Sequence, residues 1–144
     1  PNSSTQTPAK ANLSLDFAPI YPVQAALPPI NVATFCDWNA ALDLLGGDED
    51  ILVNMAEMYI SNAESYAFNI TDNLEKQDAE TLTRALHTLK GIFALFQAGA
   101  AEQLLIKTEH AAAEGKLAEV AAVSEEIKTY TQVLKEFLQK KLNP

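Results

Sequence analysis

Residues 78–97 read DAETLTRALHTLKGIFALFQ. Within them Leu82, Leu86, Leu89, Phe93 and Phe96 recur at spacings of 4, 3, 4 and 3, the period of one face of an α-helix. At about 100° per residue these five lie within about 40° of Leu82 and define a stripe that must be buried. On the same wheel Lys90 falls about 80° from the stripe, Ala94 about 120°, His87 about 140° and Gly91 about 180°. His87 therefore points to solvent, with Thr83 one turn before it and Lys90 and Gly91 one turn after.

The rest of the chain is read outward from this helix. Asp78 is its cap, and Asp48 caps a long helix from about Glu49 to Lys76 whose apolar stripe is Leu52, Met55, Tyr59, Ala63, Tyr66, Ile70 and Leu74. Asp37 caps a short helix ending near Leu45, stopped by Gly46-Gly47. Gly99 marks the next break. A fourth helix carries Leu104, Leu105, Thr108, Ala111 and Ala112 and ends near Gly115; a fifth carries Leu117, Val120, Ile127, Tyr130, Leu134 and Phe137. No segment reads as a strand. Four long amphipathic helices with short connections predict an all-α fold, an antiparallel up-down-up-down four-helix bundle over residues 31–144 with a short extra helix at its start. Residues 1–30 hold six of the seven prolines and no helical period, which predicts a Pro-rich linker or extended arm.

Composition sets the limits on function. The 144 residues carry a formal charge of −9, which disfavours nucleic acid and anionic membrane surfaces as partners. Cys36 is the only cysteine, so no intrachain disulfide and no multi-cysteine zinc site can form. No apolar run approaches the roughly 18 residues of a membrane span, and the expected location is cytoplasmic.

His87 is the candidate nucleophile and Lys90 a cation one turn away. Gly91 is costly inside a helix, by up to about 1 kcal/mol relative to Ala, and on the outward face it permits close approach of another molecule. Thr83, Arg84, Ala94 and Ala98 complete a flat face suited to docking a partner protein. A metal site built from His87, His110, Glu109 and Glu114 is the weaker reading, since bundle metal sites draw inward-facing ligands from several helices. No serine or cysteine stands in a hydrolase motif.

The stretch Leu86-His87-Thr88-Leu89-Lys90-Gly91 resembles the His-x-Leu-Lys-Gly signature of histidine-containing phosphotransfer (HPt) domains, four-helix bundles that relay phosphoryl groups between receiver domains. The resemblance runs from about Phe35 to Leu142. It includes Leu45-Gly46-Gly47-Asp48 ahead of the first long helix, and Ala98, Glu109 and Gly115 in the next helix and its turn. It implies that His87 carries the phosphoryl group, that Lys90 assists electrostatically and that Gly91 leaves room for the receiver. Ile92, Phe93 and Gln97 depart from the family pattern, in which small residues follow the glycine and a further glycine comes later; Ile92 and Phe93 flank or face the core.

The same resemblance implies a phosphorelay intermediate with no kinase activity and no cofactor of its own, a divalent metal such as Mg2+ being supplied by the receiver. Its expected partners are the receiver of a hybrid sensor kinase and a downstream response regulator, with the isolated domain monomeric. The Pro-rich lead-in and the missing start Met fit the C-terminal domain of such a kinase, itself anchored in the inner membrane. The rival class is a helical interaction module without phosphotransfer. Charge placement agrees with the docking face: Ala11 to Glu75 holds ten acids and no base, whereas nine acids balance nine bases from Lys76 onward. The His87 helix is thus free to meet the acidic pocket of a receiver.

Overall fold

The structure is a computed structural model that describes residues 30–144. The expected arm over residues 1–30 lies, Ile30 apart, outside the described residues. A 3-10 turn, Val32–Thr34, leads into α1 (Trp38–Leu44), α2 (Glu49–Glu75), α3 (Ala79–Leu95), α4 (Gly99–Ala113) and α5 (Leu117–Leu142), with no strand among the described residues. Each of α1, α2 and α3 starts on an aspartate. Asp37 accepts from the Ala40 N–H at 3.0 Å, Asp48 from Ile51 at 3.2 Å and Asp78 from Thr81 at 3.1 Å, satisfying donors that the first helical turn leaves free. Glu49 and Asp50 in the first turn of α2 further suit the positive end of its dipole.

Four helix ends close in the same way. After α2, Gln77 takes φ 55° while the Asp78 N–H reaches the Asn73 carbonyl at 3.0 Å; after α3, Gln97 takes φ 61° while the Ala98 N–H reaches Phe93 at 2.9 Å. Gly46 and Gly115 occupy the equivalent left-handed positions after α1 and α4. The break expected at Gly99 thus falls two residues earlier, and Gly99 is the first residue of α4. Glutamine has a Cβ that disfavours this conformation, so the sequence concealed the turn; the Gln97 side chain adds a bond to the Ala94 carbonyl at 2.9 Å.

α3 packs on α2 and α4, and α5 closes the ring by packing on α4 and α2, as short antiparallel connections require. Leu82, Leu86, Leu89 and Phe93 have no exposed surface, and Phe96 keeps 2 %. Ile92 packs against this core from its edge. Phe35 seals one end, its ring 6.4 Å from Phe93 and 5.6 Å from Tyr130. On α2 the stripe includes Ala56 rather than Met55, which is 37 % exposed; Met55 lies one residue round from the line through Leu52, Tyr59, Ala63 and Ile70. Buried Tyr59 donates its hydroxyl to the Thr131 carbonyl at 2.7 Å, tying α2 to α5, and burial pushes its phenol upward from the usual range. Burial likewise pushes the Cys36 thiol up to about 12, which keeps it an inert core group. No helix among the described residues is long and apolar enough to cross a membrane.

Two substitutions probe these contacts. Tyr59→Phe removes the buried donor and is expected to cost about 1–2 kcal/mol in urea unfolding, with helix content unchanged by circular dichroism. Gln77→Gly relieves the left-handed residue at an exposed turn and is expected to raise stability by about 1 kcal/mol.

Candidate functional site

The buried stripe of α3 fixes the orientation of its opposite face. With Leu86 and Leu89 locked in the core, the His87 side chain emerges 68 % exposed. α4 returns alongside α3 after the turn at Gln97 and Ala98. His87 and Glu109 stand equally far along the chain from Ala98, before and after it, and the hairpin brings them together: His87 Nδ1 lies 3.0 Å from Glu109 Oε2.

Glu109 has a second partner. Its Oε1 is shut off from water and lies 2.7 Å from Lys90 Nζ, an ion pair rather than a well-aligned hydrogen bond. Partial burial pushes the Glu109 carboxyl up, but the Lys90 ammonium and the His87 imidazole outweigh it and hold the group below the usual glutamate range. The carboxylate is therefore ionised at neutral pH and can only accept hydrogen bonds. Facing a neutral imidazole, it requires the proton to sit on Nδ1, which donates to Glu109. Nε2 then keeps its lone pair, at the distal end of an exposed ring. Because the folded value is lowered, this ion pair's contribution to stability is present above the ordinary glutamate range and is lost as pH falls through the lowered value.

The other residues of the expected face divide. Gly91 is exposed, and a Cβ built on it meets nothing within 4 Å among the described residues, so no contact among them requires a glycine there. Thr83 is half-buried and donates its hydroxyl to the Ala79 carbonyl at 2.7 Å. Arg84 is exposed and pairs with Glu80 at 3.3 Å. Both line an open groove with Ala79, Ala112 and Ala113, between the start of α3 and the end of α4. Ala94 is half-buried. Ala98 is a correction: it is fully buried as the cap residue of α4 and offers no surface to a partner. Its predicted outward position extended the α3 wheel beyond Leu95, where that helix ends. His110 is exposed on α4, and among the described residues no three His, Cys, Asp or Glu side chains gather as a metal site would need.

The model of the Hpt domain family matches residues 54–139, a span that includes α3, α4 and nearly all of α2 and α5. The chain belongs to the Hpt domain family. Its fold is also that of histidine-containing phosphotransfer protein B (HptB) from Pseudomonas aeruginosa PAO1, with a TM-score of 0.67 at 18 % identity over 76 % of this chain and 95 % of that one. No curated protein matches the chain. As an Hpt domain it serves phosphotransfer in two-component phosphorelays, a family role in which phosphoryl groups are exchanged with receiver domains and response regulators.

The sequence placed Glu109 in the family pattern without giving it this function; the distance along the chain on either side of the turn was the available signal. Nitrogen-15 NMR of the imidazole checks the assignment. At a pH where the ring is neutral, His87 is expected to carry its proton on Nδ1, and Glu109→Ala to shift the population toward the Nε2–H form that free histidine favours.

Proposed function

We propose that His87 is the phosphoryl carrier of this Hpt domain. The observation that carries this reading is the Nδ1–Glu109 contact on an otherwise exposed ring, because it presents Nε2 as a nucleophile with no need for a separate base. Nε2 attacks the phosphorus of a receiver's aspartyl phosphate, a mixed anhydride, and the P–O bond to the aspartate breaks. In the reverse direction the aspartate of a response regulator takes the group from Nε2.

Phosphoryl transfer of this kind passes through a loose transition state, so positioning and charge carry most of the catalysis. The bundle supplies a fixed imidazole and the Lys90 ammonium, half-buried beside it. The acceptor aspartate and a divalent metal belong to the receiver in this reading. Gly91 leaves its α-carbon surface bare for that receiver, a reason for a glycine where a Cβ would meet nothing among the described residues. The donor in this reading is a receiver of a hybrid sensor kinase. The domain acts as a monomer on the cytoplasmic side.

Mixing the chain with a phosphorylated receiver and following acid-labile phosphate tests the reading. Wild type is expected to acquire the label and His87→Gln to acquire none; label on His87→Gln, or none on wild type, contradicts it. Lys90→Ala is expected to slow transfer on the order of tenfold, equivalent to about 1.4 kcal/mol of transition-state stabilisation. Gly91→Leu separates docking from folding: the isolated domain is expected to gain stability, by about 1 kcal/mol, from replacing a helical glycine, while transfer falls at least tenfold.

A further inference from the structure

The contact at Nδ1 has a consequence for the phosphorylated state, resting on the reading of His87 as carrier. Attack by Nε2 forms the N–P bond while the acyl phosphate P–O bond breaks and its electron pair leaves on the aspartate. The ring then bears a phosphoryl group on Nε2 and still has the proton on Nδ1, so the imidazole moiety is cationic. If that proton departs, the ring that must later leave phosphorus is an imidazolate, a poor leaving group. If the proton stays, the leaving group is neutral imidazole with Nδ1–H, the species from which the cycle began.

We propose that Glu109 retains the Nδ1 proton on His87 throughout the phosphorylated state, so that the phosphoryl group enters and leaves without any proton transfer and is stored in its labile, transfer-ready form. Glu109 is on this view a positioning residue acting through the ring. Its geometry fits that role, because Oε2 lies 3.0 Å from Nδ1, on the far side of the imidazole from Nε2, so phosphorylation need not disturb the contact. Cationic phosphoimidazole donates more strongly than neutral imidazole, and a hydrogen bond between two ionised groups is stronger than one with a neutral partner.

The charges around the ring allow this without fixing the proton too firmly. From α4 the ring meets Glu109, and on α3 Lys90 lies against the other oxygen of the same carboxylate and moderates its field. Arg84, one turn back on α3, is drawn to Glu80. His110 sits beside Glu109 on α4 and is exposed. Among the described residues no ion pair joins α2, the other helix against α3, to the ring. A carboxylate already paired with an ammonium holds the proton as a hydrogen-bond acceptor and does not remove it.

The test uses the pH profile of phosphohistidine decay. The chain contains only two histidines, so in a His110→Gln background phosphoramidate can load His87 alone, and release of inorganic phosphate follows its lifetime. Decay is expected to slow as pH rises and the Nδ1 proton is lost. In the Glu109→Gln chain that fall is expected at lower pH, leaving the phosphorylated form about tenfold longer-lived in mildly alkaline buffer. Glu109→Asp, which keeps the charge, is expected to lie between the two.

Superimposed profiles for the Glu and Gln chains, or faster decay of the Gln chain, overturn the inference while leaving the carrier reading intact. Failure of the receiver to load His87 overturns the carrier reading and this one with it. Should Glu109→Gln fold poorly, the nitrogen-15 shift of Nδ1 in the phosphorylated wild-type chain decides. It must report the proton to a higher pH than phosphohistidine in an unstructured peptide; an equal or lower pH overturns the inference.

Discussion

The carboxylate of Glu109, shared between the imidazole of His87 and the ammonium of Lys90, is the contact on which the arrangement of the His87 face depends. It joins two helices, so it exists only if α3 and α4 are in register. One residue of slip would rotate Glu109 by about 100° and carry it away from both partners. The register is set at the turn: Gln97 in the left-handed conformation, Ala98 fully buried, and Phe93 and Phe96 anchored in the core. Packing at the centre of the bundle therefore controls the proton position on an exposed ring.

The same contact revises the role of the lysine. Read along α3 alone, Lys90 is a cation available to whatever is attached to His87. In the folded chain its charge is first committed to Glu109, and the two cancel locally. The ammonium thereby keeps a partly buried carboxylate ionised, and the carboxylate keeps the imidazole in the tautomer with Nε2 free. Lys90 thus acts on the His87 imidazole through Glu109, with no contact of its own to the ring needed. The strongly acidic part of the chain is elsewhere, since α2 contains acids and no Lys or Arg, and the paired Lys90 and Glu109 add no net charge beside the ring.

What could be read from sequence was whatever a single helix determines. The stripe from Leu82 to Phe96, the capping aspartates Asp37, Asp48 and Asp78, and the outward direction of His87 and Gly91 all follow from local period and local hydrogen bonding, and the structure has each of them. What could not be read needed two helices or an unusual backbone. Glu109 is twenty-two residues from His87, and only the hairpin makes them neighbours. Gln77 and Gln97 stand where glycine is the customary signal, so the glycine pattern marks the second turn two residues late, at Gly99. The helical wheel puts Ala98 outward because it carries no information on where the helix ends.

The departures from the family pattern can be weighed on the same geometry. Phe93 is wholly buried and Ile92 packs at the core edge, so their bulk replaces volume inside the bundle and does not reach the face that carries His87. Gln97 changes the chemistry of the turn but preserves its backbone path, because the two closing hydrogen bonds, from Gln97 to Ala94 and from Ala98 to Phe93, are both formed. Gly91, by contrast, stands at a position where alanine would favour the helix and would touch nothing among the described residues. The inner face of α3 tolerates large substitutions as long as the core stays filled and the register with α4 is held. On its outer face Gly91 weakens the helix without relieving any contact among the described residues, a cost for which the packing of the inner face gives no reason.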